Sequence, residues 1–408
     1  MSTSKPPALQ PGHHITLLQG SAQFFAALIE AIEQSVKEVR LETYIFDVTA
    51  SGERVAQALE QAAQRGVSVF LMVDGVGTPA LHPHWQKRFN QAGVHSFIFL
   101  PLGRLGLLMP RRWRRLHRKL CVVDGQTAFC GGINVLDDFH DPNHGHLAAP
   151  RLDFAVRVSG PLVQIAHQTM AQFWWRWQAV GAARQSDFKT TWRTLQHAFL
   201  QQRPNLDTTA FSQPTHNTIQ AGLLLRDNLR HRAHIEHAYD QAIGNAKQEI
   251  IIANAYFLPG RVLRQALIQA AKRGVRVRLL LQGRYEYFMQ YHASRPVYQA
   301  LLSAGVEIYE YTKSFLHAKV AVIDGHWATV GSSNLDPLSL LLAREADVVI
   351  DDCVLAQTLR QRLEEAIGLG SQSVALDHNA QRPWHLRWRD QLAFGLMRLM
   401  IYLSGNRY

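Results

Sequence analysis

Two nine-residue stretches hold the side chains best suited to chemistry: Leu116-His117-Arg118-Lys119-Leu120-Cys121-Val122-Val123-Asp124 and Leu316-His317-Ala318-Lys319-Val320-Ala321-Val322-Ile323-Asp324. The first runs on to Gly131-Gly132-Ile133-Asn134 and the second to Gly331-Ser332-Ser333-Asn334, at the same internal spacing and without a gap. The chain therefore contains one chemical unit twice, and a single site assembled from both copies is expected. In an extended strand, residues i and i+2 share a face, so each copy presents an imidazole beside an ammonium. Two histidines, two lysines and two asparagines around one point make a cationic, donor-rich pocket for a tetrahedral anion, and a phosphodiester is the obvious occupant. One neutral histidine can attack phosphorus to give a covalent phosphohistidine. The other, protonated, can supply the leaving oxygen with a proton and later deprotonate the acceptor. Lys119, Lys319, Asn134 and Asn334, with backbone donors near Gly132 and Ser332, are expected to hold the non-bridging oxygens. Asp124 and Asp324 are grouped with the catalytic set as supports for the local geometry and the lysines. The symmetry of the two copies allows either histidine to be the nucleophile.

The elements that must position these residues repeat as well. Leu120 to Val123 and Val320 to Ile323 are apolar and β-branched, which reads as buried strand, and Asp124-Gly125 and Asp324-Gly325 read as turns. Upstream, Glu38 to Phe46 and Glu249 to Phe257 read as strands. Gly52 to Arg65 and Val262 to Arg273 read as helices, and Gly66 to Val73 and Gly274 to Leu281 as the strands after them. The matched segments Ala62-Ala63-Gln64-Arg65-Gly66-Val67 and Ala270-Ala271-Lys272-Arg273-Gly274-Val275 place a glycine where a helix ends. A short strand and turn over 14–24 and a helix from about Ala22 to Val36 precede the first copy. Strands alternating with helices of this length predict βαβ units on a largely parallel sheet. After each motif a further strand opens with a carboxylate, at Asp153 and at Glu345. Glu42 and Tyr44 align internally with Asn254 and Tyr256 and are candidates for pocket lining or for packing.

The doubled pattern His-x-Lys-x4-Asp-x6-Gly-(Gly/Ser)-x-Asn resembles the signature of the phospholipase D superfamily, and the resemblance covers nearly all of residues 10–370. It implies an α/β fold of two tandem phospholipase D-like domains, each a mostly parallel sheet flanked by helices, related by pseudo-twofold symmetry with one shared active site. The expected division is 1–205 for the first domain, 206–217 for a linker, 218–375 for the second domain and 376–408 for a basic amphipathic tail. The resemblance also makes His117 the nucleophile and His317 the acid/base, and gives Asp153 and Glu345 the task of orienting the imidazoles. Within the superfamily the chain most resembles bacterial cardiolipin synthases of the short type lacking N-terminal transmembrane helices. The residues that carry this are Arg114-Arg115-Leu116-His117-Arg118-Lys119, Ile251-Ile252-Ala253-Asn254-Ala255-Tyr256-Phe257 and Gly331-Ser332-Ser333-Asn334-Leu335-Asp336-Pro337-Leu338-Ser339-Leu340. They imply transfer of a phosphatidyl group from one phosphatidylglycerol to the hydroxyl of another, with release of glycerol. Two departures stand out: Gly131-Gly132 replaces the usual Gly-Ser, and Ala343-Arg344-Glu345 lacks the usual Asn before the Glu.

Composition agrees with a lipid-facing enzyme. The chain has 408 residues, 47% hydrophobic and 18% charged, which fits two globular domains. A formal charge of +11, from 43 basic against 32 acidic residues, favours a polyanionic partner, anionic lipid or nucleic acid. Cys121, Cys130 and Cys353 read as packed thiols in a reducing compartment. The polar N-terminus, Met1 to Pro7, has no apolar core of a signal peptide or anchor. The apolar run Phe97 to Met109 ends in Arg111, Arg112, Arg114 and Arg115. It fits insertion of Leu105, Leu107, Leu108, Met109 and Trp113 among acyl chains with arginines on lipid phosphates. The tail from Arg382 to Tyr408 is too short and too interrupted to span a bilayer, which takes about 20 apolar residues. It reads as an interfacial helix, with docking on the second domain as the alternative. These features predict a peripheral protein on the cytoplasmic side of a bacterial cell membrane; oligomeric state stays open.

Phe173-Trp174-Trp175-Arg176-Trp177 reads as core packing at a helix. No metal or other cofactor is expected, because the lysines supply the positive charge a cation would bring. His140, His144 and His146 have no tetrahedral spacing and read as a rim loop. Nucleic acid is not the expected partner, since no aromatic–basic interleaving of a single-strand groove is present. The rivals are a hydrolytic phospholipase D, a nuclease or phosphodiesterase of the same superfamily, and a catalytically silent peripheral membrane protein.

Overall fold

The computed structural model describes residues 8–103, 110–141, 144–184, 219–227, 233–284, 288–336, 343–376 and 384–403. The first half runs β1 (Gln10–Gln19), α1 (Gly20–Glu33), β2 (Glu38–Thr43), α2 (Ser51–Gln64), β3 (Ser68–Asp74), α3 (Pro83–Ala92) and β4 (His95–Phe99). It continues with β5 (Arg115–Leu116), β6 (Lys119–Val123), β7 (Thr127–Gly131), the small hairpin β8 (His140–Asp141) and β9 (Gly145–His146), then β10 (Phe154–Ser159) and α4 (Leu162–Arg184). The second half runs β11 (Ile219–Arg226), α5 (His234–Asn245), β12 (Glu249–Asn254), α6 (Arg261–Lys272), β13 (Arg276–Gln282), α7 (Phe288–Leu302) and β14 (Glu307–Tyr311). Then follow β15 (Lys119's counterpart, Lys319–Ile323), β16 (Trp327–Gly331), β17 (Ala343–Asp351), α8 (Cys353–Gly370), β18 (Ser371–Ser373) and α9 (Trp384–Leu403).

Apart from the β8–β9 hairpin, the strands form one sheet whose order mirrors about its middle: β1 meets β11, then β10-β7-β6-β2-β3-β4 runs one way and β17-β16-β15-β12-β13-β14 the other. The duplication expected from sequence is thus a duplication of topology. The sheet is mixed, not mostly parallel. β2-β3-β4 and β12-β13-β14 are parallel, because helices cross between them. The central pairs are antiparallel. For β6–β7 and β15–β16 the reason is local: they are joined by tight turns, and a tight turn can only reverse a strand. Asp124 and Asp324 adopt φ of 52° and 49°, each followed by a positive-φ glycine, the left-handed pair such hairpins require.

Alternation along the strands splits the side chains between two faces. Leu120, Val122, Val320 and Val322 face α4 and α8 in one core shared by both halves, with Ala166, Met170, Leu359 and Leu363. The opposite face is covered half by half, by α1, α2 and α3 on one side and by α5, α6 and α7 on the other. Burial of each such Leu or Val contributes about 1.5–3 kcal/mol. The shared core therefore ties the halves together. α2 and α6 end as the repeats predict. Gly66 and Gly274 take φ of 91° and 88°, and Val67 and Val275 donate back to Ala62 and Ala270 at 3.1 Å.

The first helix starts earlier than its pattern suggests, at Gly20, because β1 occupies Gln10–Gln19. β2 and β12 stop at Thr43 and Asn254, three residues before the apolar pattern does, and the following residues leave the sheet beside the pocket. The linker expected at 206–217, the apolar residues 105–109 and the stretch 337–340 lie outside the described residues.

Candidate active site

Each histidine enters the site from its own half but is fixed by the other. His117 follows β5, whose backbone Leu116 donates to Asp74 Oδ2 at 2.7 Å, and whose Arg115 donates to Asp74 Oδ1 at 3.1 Å. The His117 amide then donates to Arg344 O at 3.1 Å, while the His317 amide donates to Leu152 O at 2.9 Å. The side chains cross in the same way. His117 Nδ1 lies 2.9 Å and 3.1 Å from the two Glu345 oxygens, and His317 Nδ1 lies 2.7 Å from Asp153 Oδ2. A carboxylate at Nδ1 accepts the Nδ1 proton and makes Nε2 the lone-pair nitrogen of the neutral ring. The reciprocal exchange is what a twofold relation between the halves produces.

The lysines turn back on their own histidines. Lys119 Nζ donates to His117 O at 2.7 Å, and Lys319 Nζ donates to His317 O. Both are buried, and the Tyr44 ring covers this corner, 5.5 Å from Lys119 Nζ and 5.0 Å from the His117 ring. Tyr44 is therefore a contact of His117. Glu42 is not in the pocket: it pairs with buried Arg118, which donates to Glu42 Oε1 at 2.9 Å. Asn254 is likewise structural, accepting from Leu335 N at 3.1 Å and donating to Ser333 O at 3.4 Å. Asn134 Oδ1 accepts from Ile45 N at 3.1 Å, and its amide nitrogen has no partner among the described residues. Asn334 is buried in the matching loop.

Four expectations need correction. The amides of Gly132 and Ser332 donate to Phe154 O at 2.9 Å and Ala346 O at 3.1 Å, so neither is directed at a ligand. The Ser332 hydroxyl donates to Glu345 Oε2 at 2.6 Å. A side chain at Gly132 would place Cβ 2.2 Å from Asp153 Oδ1, so the missing serine reflects the space that carboxylate takes. Asp124 and Asp324 support neither lysine. Asp124 accepts from the amides of Val36, Lys37 and Glu38 at 2.9, 2.8 and 2.8 Å. Asp324 does the same for Lys247, Gln248 and Glu249 at 2.8, 2.8 and 2.9 Å. At about 3.3 Å per residue, five residues of strand put them roughly 16 Å from the lysines.

Burial dominates the electrostatics. It pushes His117 and His317 well below the ordinary imidazole value, and the two ammonium groups add to this. Burial brings Lys119 down to about 7, with Lys319 as the next cause. The same desolvation lifts Asp153 and Glu345 to about 7 against the pull of the lysines. These five groups are thus held toward their neutral forms, and an entering anion shifts the histidines and Lys119 back toward charge. His144 Nδ1 bonds Asp141 Oδ1 at 3.0 Å, and its ring packs 5.1 Å from that of Phe315, two residues before His317.

Sequence reasoning missed two acids. Asp74 closes β3 and anchors β5; its signal was a lone carboxylate ending an apolar strand where the second copy has Gln282. Asp347 lies two residues beyond Glu345 on the same strand face, buried, and accepts from the Ser332 and Ser333 amides.

A doubled α/β topology with two crossed histidine–carboxylate pairs defines a phosphoryl-transfer protein of the phospholipase D type. The family described as "Cardiolipin synthase, PLD-like domain" matches residues 28–177 and 239–367, and the chain belongs to it. It is 38% identical over 394 residues to "Cardiolipin synthase B" of Salmonella typhi, covering 97% of this chain and 90% of that protein. It is 37% identical, with the same coverage, to "Cardiolipin synthase B" of Escherichia coli (strain K12). Among solved structures, phosphatidylserine synthase of Haemophilus influenzae matches with a TM-score of 0.65, 13% identity and 96% of each chain covered. Polyphosphate kinase of Porphyromonas gingivalis matches with a TM-score of 0.53 and 16% identity, covering 96% of this chain and 56% of that one. At such identities these two show the fold alone.

Proposed function

We infer that the chain is a cardiolipin synthase: a phosphatidyltransferase that joins two phosphatidylglycerol molecules and releases glycerol. The observation that carries this is the crossed pair of histidine–carboxylate contacts, in a chain with cardiolipin synthase relatives along 97% of its length. His117 Nε2 attacks the phosphorus of one phosphatidylglycerol. A P–N bond forms, the P–O bond to glycerol breaks, and His317 gives its proton to the departing oxygen. The second phosphatidylglycerol enters with its terminal hydroxyl at His317, which takes that proton. The oxygen attacks phosphorus, the P–N bond breaks, and cardiolipin leaves with His117 restored. Lys119, Lys319, Asn134 and Asn334 hold the non-bridging oxygens, in a buried setting where each contact is stronger than in water.

The partner surface is an anionic membrane, met from one side. No helix among the described residues is long and apolar enough to cross a bilayer. α9 supports interfacial contact. Its residues Trp384, Trp388, Leu392 and Leu396, spaced by four, are 71%, 70%, 58% and 45% exposed. Its other face docks on α7, where His292 Nδ1 donates to Asp390 Oδ1 at 2.7 Å and Ala393 is buried. Docked and interfacial readings of the tail are therefore compatible.

The test is incubation of purified protein with phosphatidylglycerol vesicles without added metal, followed by lipid mass spectrometry, beside a His117→Ala/His317→Ala double variant. Cardiolipin from the wild type alone is expected. Phosphatidic acid in its place would assign a hydrolase, and no lipid turnover would overturn the reading.

A further inference from the structure

We propose that Asp347 is a positioning residue that clamps the Gly331–Ser333 turn, so that Ser332 holds Glu345 against His117. The proposal rests on the reaction assigned above and on contacts within the second half. Asp347 Oδ1 accepts from Ser332 N at 3.0 Å, Ser333 N at 3.2 Å and Ser333 Oγ at 2.8 Å. It sits so close over the chain that a Cβ on Gly331 would lie 1.9 Å from that oxygen, so this position admits no side chain. The clamped turn fixes the Ser332 hydroxyl. Its oxygen accepts from Ala346 N at 3.0 Å, and its proton goes to Glu345 Oε2 at 2.6 Å. Glu345 in turn receives His117 Nδ1. The path Asp347, Ser332, Glu345, His117 is continuous and buried until it reaches the imidazole.

The first half has none of this, which is the second strand of the argument. Ala155 stands where Asp347 stands, and Gly132 stands where Ser332 stands. Asp153 fills the space of the absent serine and takes its second donor from its own strand, Phe154 N at 2.8 Å. An aspartate has one torsion fewer than a glutamate, so the shorter acid is fixed by the strand itself. The longer Glu345 needs a brace, and Ser332 with Asp347 supplies it. The two histidines therefore have unequal supports, and the braced one is His117, the nucleophile of the assigned reaction. A loosened Glu345 lets the ring turn and lose its Nδ1-proton tautomer, which penalises attack on phosphorus more than it penalises the later steps.

The experiment is rapid-quench trapping of the labelled phosphatidyl adduct, with steady-state kinetics, for wild type, Asp347→Asn, Asp347→Ala, Ser332→Ala and the Ser332→Ala/Asp347→Ala double variant, each checked for its native circular dichroism. Asparagine keeps the accepting oxygen, so Asp347→Asn should stay within about threefold of wild type. Asp347→Ala should form the adduct about 10–100-fold more slowly with little change in KM, as loss of a group that orients a reactive ligand does. Ser332→Ala should match it, and the double variant should be no worse than the slower single, since both act through one path. A wild type that forms adduct no faster than Asp347→Ala, or independent losses that multiply in the double variant, overturns the brace. Failure of Asp347→Asn to rescue overturns it as well. An adduct absent from the wild type overturns the reaction itself.

Discussion

At the residue scale the site is two imidazoles whose carboxylate partners come from the opposite repeat. Because Glu345 serves His117 and Asp153 serves His317, amide substitutions should separate the two halves of the reaction. Glu345→Gln should slow adduct formation. Asp153→Asn should slow both leaving-group protonation and resolution of the adduct, each by roughly 10²–10⁴-fold. Single-turnover trapping decides this: Asp153→Asn should slow breakdown of the trapped adduct more than Glu345→Gln does, and equal effects of both variants on that breakdown would reject the division of labour. The charge state of the site gives a second prediction. With Lys119 near 7 and both histidines held lower, these groups are largely neutral at pH 8. An anion in contact with them raises their proton affinity, so binding of inorganic phosphate at pH 8 must take up protons. Calorimetry in two buffers of different ionisation heat should show uptake, and release of protons would count against the arrangement.

At the element scale, the hairpins β6–β7 and β15–β16 are pinned from below by Asp124 and Asp324, each of which gathers three backbone amides at the start of β2 or β12. Asp124→Ala should therefore cost about 1–3 kcal/mol of stability while leaving the turnover of folded protein within about twofold, since the carboxylate lies roughly 16 Å from Lys119. Denaturant unfolding and assays on the soluble fraction test both parts. A large loss of kcat at unchanged stability would restore these aspartates to the catalytic set. β5 and β17 show why short elements matter here. Two residue pairs of parallel ladder, Arg115 with Ala343 and Leu116 with Arg344, deliver the His117 backbone to the strand that carries Glu345.

For the whole molecule, a core shared between the halves and a doubled pocket set between them leave α9 as the most apolar exposed element among the described residues. Replacing Trp384 and Trp388 with Ser should lower sedimentation with anionic vesicles several-fold, because tryptophan at an interface contributes through its buried ring area. Turnover of a detergent-dispersed substrate should be unchanged. Equal vesicle binding by the variant would remove α9 from the membrane contact and leave it as a docked helix alone.

Much of this protein was legible before any fold was seen. The repeat of His117-x-Lys119 as His317-x-Lys319, with Asn134 and Asn334 at equal distance, pointed to the set proposed as reactive, because spacing within one strand or turn is a local property that sequence carries directly. The helix ends at Gly66 and Gly274 were equally local. The division of labour among the aspartates was not legible: Asp124 and Asp324 recur as faithfully as the lysines, and recurrence alone does not separate a residue that pins a hairpin from one that meets substrate. The antiparallel centre of the sheet, the exchange of Glu345 and Asp153 between the halves, the space Asp153 takes over Gly132 and the brace from Asp347 all join residues distant in the chain or on neighbouring strands. Strand pairing within each copy makes most of these contacts, and packing the two copies against each other makes the exchange of Glu345 and Asp153, so only the tertiary structure could decide them.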